Sequence, residues 1–170
     1  MSIPLTESKF SPQDTLEPAD LSIPDPYDIE GLEQKMGELG FRLLFSPQTP
    51  TTMVTIEDHA LRGETSPLVA LTDHQTQGVG REGRTWNDVA GKSILMSILV
   101  QINEPSIATY SDLVALRVCQ ALRQTTDQPF QIKWPNDIVY EDKKVGGILV
   151  RHIVDGERKY VATNVGIGIN

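Results

Sequence analysis

Residues 130–170 read F-Q-I-K-W-P-N-D-I-V-Y-E-D-K-K-V-G-G-I-L-V-R-H-I-V-D-G-E-R-K-Y-V-A-T-N-V-G-I-G-I-N. Apolar runs and turn residues alternate here, with no helical spacing between them. Phe130 to Lys133, Ile138 to Tyr140, Val145 to Val154 and Lys159 to Asn170 read as strands. Trp134-Pro135-Asn136-Asp137 and Glu141 to Lys143 read as turns, and Asp155-Gly156 is a hairpin signal. Consecutive strands joined by short turns make an antiparallel meander.

Working outward, Tyr110 to Arg123 has helical spacing. Leu113, Val114, Leu116, Val118, Ala121 and Leu122 make it apolar on most sides, which predicts a well-buried helix. Ser93 to Gln101 alternates Ile94, Met96, Ile98 and Val100 with Leu95, Ser97, Leu99 and Gln101, so both faces are largely apolar and the strand is expected to be central. Pro67 to Leu71 and Phe41 to Phe45 read as strands and Ile56 to Arg62 as helical, with Ser46 to Thr55 a hydroxyl-rich turn. Upstream, Asp25-Pro26 reads as a cap and first position of a helix carrying Ile29, Leu32, Met36 and Leu39, with Gly40 as its stop. Helices alternate with strands early and strands run consecutively late. The expected class is α+β: a mixed, largely antiparallel sheet flanked by helices.

The 170 residues suit one domain large enough for a real core. Net charge is −8 and lies at the front: residues 1–40 hold nine acids against two bases, and the rest fourteen against thirteen. Residues 1–26, with five prolines among Ser, Asp and Glu, are expected to form a disordered acidic leader ahead of a domain spanning 27–170. The near-neutral body lacks the basic footprint of a nucleic-acid binder. The single cysteine, Cys119, excludes an internal disulfide and any CxxC metal site, and its apolar context suits a small core residue. With no apolar run of membrane-spanning length and no signal pattern, a cytoplasmic protein is expected.

A second stretch, Q-T-Q-G-V-G-R-E-G-R-T-W from Gln75 to Trp86, packs Gly78, Gly80, Gly83, Arg81 and Arg84 together. Glycines let backbone approach a ligand closely, and arginines offer planar charge for carboxylate or phosphate. An isolated loop of this kind reads first as a surface turn with two solvated arginines. The clusters K-W-P-N-D (Lys133 to Asp137) and D-K-K-V-G-G-I-L (Asp142 to Leu149) shift the balance toward an anion-binding loop.

From about Thr51 onward the chain resembles the biotin–protein ligases of the biotin/lipoate ligase superfamily. The resemblance rests on Q-T-x-G-x-G-R-x-G-R-x-W, K-W-P-N-D, K-V-G-G-I-L (Lys144 to Leu149) and G-I-G-I-N (Gly166 to Asn170), in order. It implies a catalytic domain of class II aminoacyl-tRNA-synthetase-like fold. It also implies an activity: biotin and ATP form biotinyl-5′-adenylate, and biotin then passes to a lysine of a biotin carboxyl carrier protein, an acetyl-CoA carboxylase subunit. The resemblance makes Lys144 the central catalytic lysine, with Arg84 beside it. It sets biotin against Thr51, Thr52, Met53, Gln75, Val79, Gly80, Arg81, Trp86 and Lys144. It sets ATP against Arg81, Arg84, Lys133, Asn136, Asp137 and Asn170, with Mg²⁺ held through ATP by Asp137. Preorganised cations suit this chemistry, because charge accumulates on the attacked phosphorus.

Without that resemblance, Lys144 would read as a turn lysine and Thr51-Thr52 as a helix cap. Val79 stands where the family usually has arginine, and Pro50 where an aspartate is common. Family members also continue beyond the position matched by Asn170, so a C-terminally truncated domain is expected, its last strand lacking a partner. No helix-turn-helix is legible in the leader, and no DNA or membrane partner is expected. The alternatives are a lipoate or octanoyl ligase or transferase of the same fold, and a non-catalytic remnant that binds biotin or ATP.

Overall fold

The computed structural model describes residues 28–64, 67–101 and 107–170. The expected leader and the Asp25-Pro26 cap lie outside them. Helix α1 (Ile29–Glu38) is capped by Asp28, whose Oδ1 accepts from the Gly31 N–H at 3.0 Å. There follow β1 (Arg42–Thr49), α2 (Thr52–Leu61), β2 (Leu68–Gln75), β3 (Ile94–Val100), α3 (Ile107–Thr126), β4 (Gln131–Lys133), β5 (Asp137–Tyr140), β6 (Lys143–Val154) and β7 (Tyr160–Ile169).

The strands form one seven-stranded sheet in the order β1-β2-β3-β7-β6-β5-β4. Among the described residues only β1 and β2 run parallel, joined by the crossover helix α2 that such a pair requires. The meander from β4 to β7 and the central place of β3 match the sequence reading. Helix α2 packs Ile56 and Ala60 on Leu68, Ala70, Leu99, Ile153 and Ala162 on one face of the sheet. On the other, α3 packs Ala115 and Cys119 on Ile138, Ile148, Val165 and Ile167, and α1 covers Leu43, Val69 and Leu71. Each fully buried Val, Leu or Ile side chain among them contributes about 1.5–3 kcal/mol. Among the described residues no helix is long and apolar enough to cross a membrane.

Three expectations are corrected. Strand β1 runs on through Ser46 and Pro47 instead of turning there. It is an edge strand, where a residue without an N–H is tolerated. Helix α3 is not buried on most sides: Leu113 and Leu116 are each 45% exposed, because a helix lying on a sheet has only one covered side. Strand β7 does not lack a partner. It pairs with β3 on one edge and β6 on the other, and is the middle strand of the sheet.

Candidate active site

A cavity of about 340 Å³ opens where the N-terminus of α2, the end of β2 and the β6–β7 pair converge. Its floor is strand backbone. Gly168 of β7 sits opposite Gly147 of β6, with Gly166 one step further opposite Leu149. A Cβ on Gly168 would lie 2.5 Å from Trp86 Cε2, and one on Gly147 3.0 Å from Cζ3 of the same ring. A Cβ on Gly166 would lie 2.5 Å from Met53 Sδ. Glycines inside a strand mark such close approaches. The bare backbone lets an indole and a thioether lie directly on the sheet and wall the cavity. The buried Trp86 Nε1 has no hydrogen-bond partner among the described residues.

The glycine loop is a small hairpin. The Trp86 N–H donates to Gly78 O at 2.9 Å, the Gly80 N–H donates to Arg84 O at 2.7 Å, and Val79 bridges Thr85 between them. Residues Arg81–Gly83 form a single 3₁₀ turn at the tip, where Gly83 has φ +75°. Arg84 pairs with Glu82 at 3.1 Å. The Arg81 guanidinium instead crosses to the K-W-P-N-D turn and donates to Asn136 Oδ1 at 2.9 Å. Asn136 is itself fastened to β6: its Nδ2 donates to Ile148 O, and its carbonyl accepts from the Ile148 N–H, both at 2.9 Å. Loop, turn and strand are thus one connected frame.

Both readings of the paired threonines hold at once. Thr51 caps α2, its hydroxyl accepting from the Met53 N–H, and it also lines the cavity. The Thr52 N–H donates to Gln75 Oε1 at 2.9 Å, and its hydroxyl bonds Ser97 Oγ at 2.7 Å. With its oxygen so engaged, the Gln75 amide has N–H donors left to offer a ligand. Met53 is held by its carbonyl, which accepts from Asn164 Nδ2 at 2.7 Å.

Beside Arg81, Glu82, Arg84 and Asp137, the charged lining of the cavity includes Lys144, at the start of β6. Its Nζ lies 2.8 Å from Asp137 Oδ1 on β5 and 5.5 Å from the centroid of the Trp86 ring. A half-exposed ammonium therefore stands between an aromatic wall and a carboxylate. Among the described residues there is no cluster of three or more His, Cys, Asp or Glu able to hold a metal by itself.

All the expected site residues line the cavity except Lys133 and Asn170. Lys133 is exposed on the edge strand β4. Asn170 donates from its Nδ2 to Asn87 O at 3.0 Å, and so ties the end of β7 to the segment after Trp86. Sequence reasoning expected Gly146 and Gly147 to let a ligand approach the strand backbone, and Gly147 does line the cavity, but it gave no individual role to Gly166 or Gly168. The available signal was the spacing of Gly166 and Gly168 two apart on one face of a strand.

Residues 44–170 match the family described as the Biotin/lipoate A/B protein ligase family. The human biotin--protein ligase is 33% identical over 143 residues, covering 78% of this chain and 19% of that protein. The bifunctional ligase/repressor of Bacillus subtilis is 29% identical over 135 residues, covering 78% of this chain and 42% of its own. Among solved structures, the biotin protein ligase of Aquifex aeolicus in complex with biotin and ATP superposes with a TM-score of 0.64 at 29% identity, covering 75% of this chain and 51% of the other. The chain thus spans about half, or less, of the length of the relatives it matches. The match over residues 44–170 and the superposition on the Aquifex aeolicus structure agree: the chain belongs to the biotin/lipoate A/B protein ligase family.

Proposed function

We propose that this cavity activates biotin with ATP and delivers it to a lysine of a biotin carboxyl carrier protein. The observation that carries the reading is the placing of Lys144, its ammonium 2.8 Å from Asp137 and beside the Trp86 ring at the edge of an apolar-walled cavity. Biotin has an apolar thiophane body, a polar ureido ring and a carboxylate tail. Trp86 and Met53 suit the body, Gln75 and the threonine hydroxyls suit the ureido group, and Lys144 suits the carboxylate. A substrate carboxylate arriving at Lys144 takes the place of Asp137 on the ammonium.

In the reaction, a biotin carboxylate oxygen forms a bond to the α-phosphorus of ATP, and the bond from that phosphorus to the pyrophosphate breaks. Lys144 stabilises the charge that gathers between the two anions, and Arg81 and Arg84 hold phosphate from the loop. The carrier lysine amine then attacks the acyl carbon and AMP leaves. Asp137, freed from Lys144, is an oxygen ligand of the type Mg²⁺ takes alongside substrate phosphates, and is the residue that would hold it. The metal would neutralise triphosphate charge.

Pyrophosphate release by the purified chain, with ATP and either biotin, lipoate or octanoate, tests the proposal. Release that depends on biotin is the expected result. Release with lipoate or octanoate alone would assign the site to the other branch of the family, and release with none of them would contradict an adenylating activity.

A further inference from the structure

Outside the cavity, one buried charge is not used by this chemistry. The Asp88 side chain is only 1% exposed, and its Oδ2 lies 2.8 Å from Nδ1 of His74, which is 37% exposed. Neither residue lines the cavity. His74 immediately precedes Gln75, and Asp88 follows Trp86 by two positions. The pair therefore joins the two legs of the glycine hairpin at its root, below the backbone bonds that join Gly78 to Trp86 and Gly80 to Arg84.

The place of the pair in the sheet explains why a tie is needed there. Strand β2 is flanked by β3 only as far as Thr72, which pairs with Leu95; His74 and Gln75 keep only β1, through Gln48 and Thr49. The Thr72 hydroxyl donates to His74 O at 3.1 Å and steadies the strand end on the incoming side. On the returning side, Asn87 O is held by Asn170. A carboxylate removed from water is costly unless it is paired, so Asp88 is confined to the geometry its imidazole partner allows. Trp86 is thus pinned between a backbone bond to Gly78 and the Asp88–His74 hydrogen bond two residues on.

We infer that His74 and Asp88 are positioning residues for the ligand cavity. They set the root of the hairpin so that Trp86 lies flat on Gly168 and Gly147 while Gln75 keeps its bond to Thr52. The inference rests on the reading of the cavity as a biotin site. It assigns to two residues that touch no substrate a share in biotin affinity, and none in the chemical step.

Four variants test it: His74→Ala, Asp88→Ala, and the conservative His74→Asn and Asp88→Asn, which keep a hydrogen-bonding group close to each lost atom. Misplacing a binding wall without touching the reacting groups is expected to raise the KM for biotin by about 10-fold or more in the alanine variants, with kcat changed by less than about 3-fold. The conservative variants are expected to recover most of the parental KM. Alanine variants with parental KM overturn the inference, as do kcat losses matching the KM change and conservative variants as impaired as the alanines. Amide exchange across residues 76–87 keeps this outcome separate from the function itself. If the parent turns over no biotin, faster exchange there in both alanine variants, with parental exchange in β3 and β7, upholds the positioning role, and unchanged exchange overturns it.

Discussion

Two glycine-rich regions meet at the cavity, and their glycines serve different needs. In the floor, Gly147, Gly166 and Gly168 lie in paired strands, and the requirement is room: a Cβ on Gly168 would meet the Trp86 ring at 2.5 Å. At the hairpin tip, a Cβ on Gly83 would meet nothing within 4 Å, but the residue sits at φ +75°. The floor fails by collision and the tip by conformation. Glycine density in a sequence is therefore not one signal. In a strand it reports what lies on top of the backbone; in a turn it reports the backbone itself.

The largest expected effect comes from the residue beside both regions. Lys144→Ala should lower pyrophosphate release by roughly 10²–10³-fold, about 3–4 kcal/mol in the barrier, as for loss of one preorganised donor. Its melting temperature should stay close to the parent's, since exposed substitutions usually shift stability by only about ±0.5 kcal/mol. Lys143→Ala, outside the cavity lining, is the control. Equal losses in the two variants would separate the cavity from the chemistry.

Next comes the floor. Gly168→Val should lose about 1–3 kcal/mol of stability through overpacking and should displace Trp86, abolishing measurable biotin binding in a calorimetric titration. Retained affinity would mean that the indole does not wall the ligand. The tie between the regions is Arg81. Arg81→Gly removes the bond to Asn136 and should loosen retention of the adenylate more than it slows its formation. Free adenylate and unselective lysine labelling should then rise, and loss of adenylate formation itself would move Arg81 into the chemical step. The smallest effect is at the tip. Gly83→Ala should cost about 1 kcal/mol in thermal or urea melting, the penalty of a left-handed conformation, while leaving biotin affinity near the parent's. If Gly83→Ala harmed binding more than Gly168→Val, the contrast between room and conformation would be reversed.

Much of this was legible in the sequence because its signals are local. The meander from β4 to β7 follows from apolar runs broken by turn residues, and β3 was placed centrally by its two apolar faces. Most of the cavity lining was likewise among the residues that the family resemblance implied. What escaped depends on tertiary placement. Pro47 reads as a break until β1 is known to be an edge, and Leu113 and Leu116 read as buried until α3 is known to lie on one face of a sheet. Asp28, which caps α1, carried no mark in the sequence reading. Gly166 and Gly168 could be seen, but not the Trp86 and Met53 side chains that need them bare, since these come from distant parts of the chain. His74 and Asp88 carry no motif, and only the folded hairpin brings them to 2.8 Å.

The most direct test is a crystal structure of the chain with biotin and a non-hydrolysable ATP analogue. The thiophane ring is expected between Trp86 and Met53 over the glycine floor. The biotin carboxylate is expected on Lys144 Nζ, with the 2.8 Å contact to Asp137 opened and the α-phosphate beside it. Biotin bound outside this cavity, or a carboxylate remote from Lys144 with the Asp137 contact intact, would contradict the account.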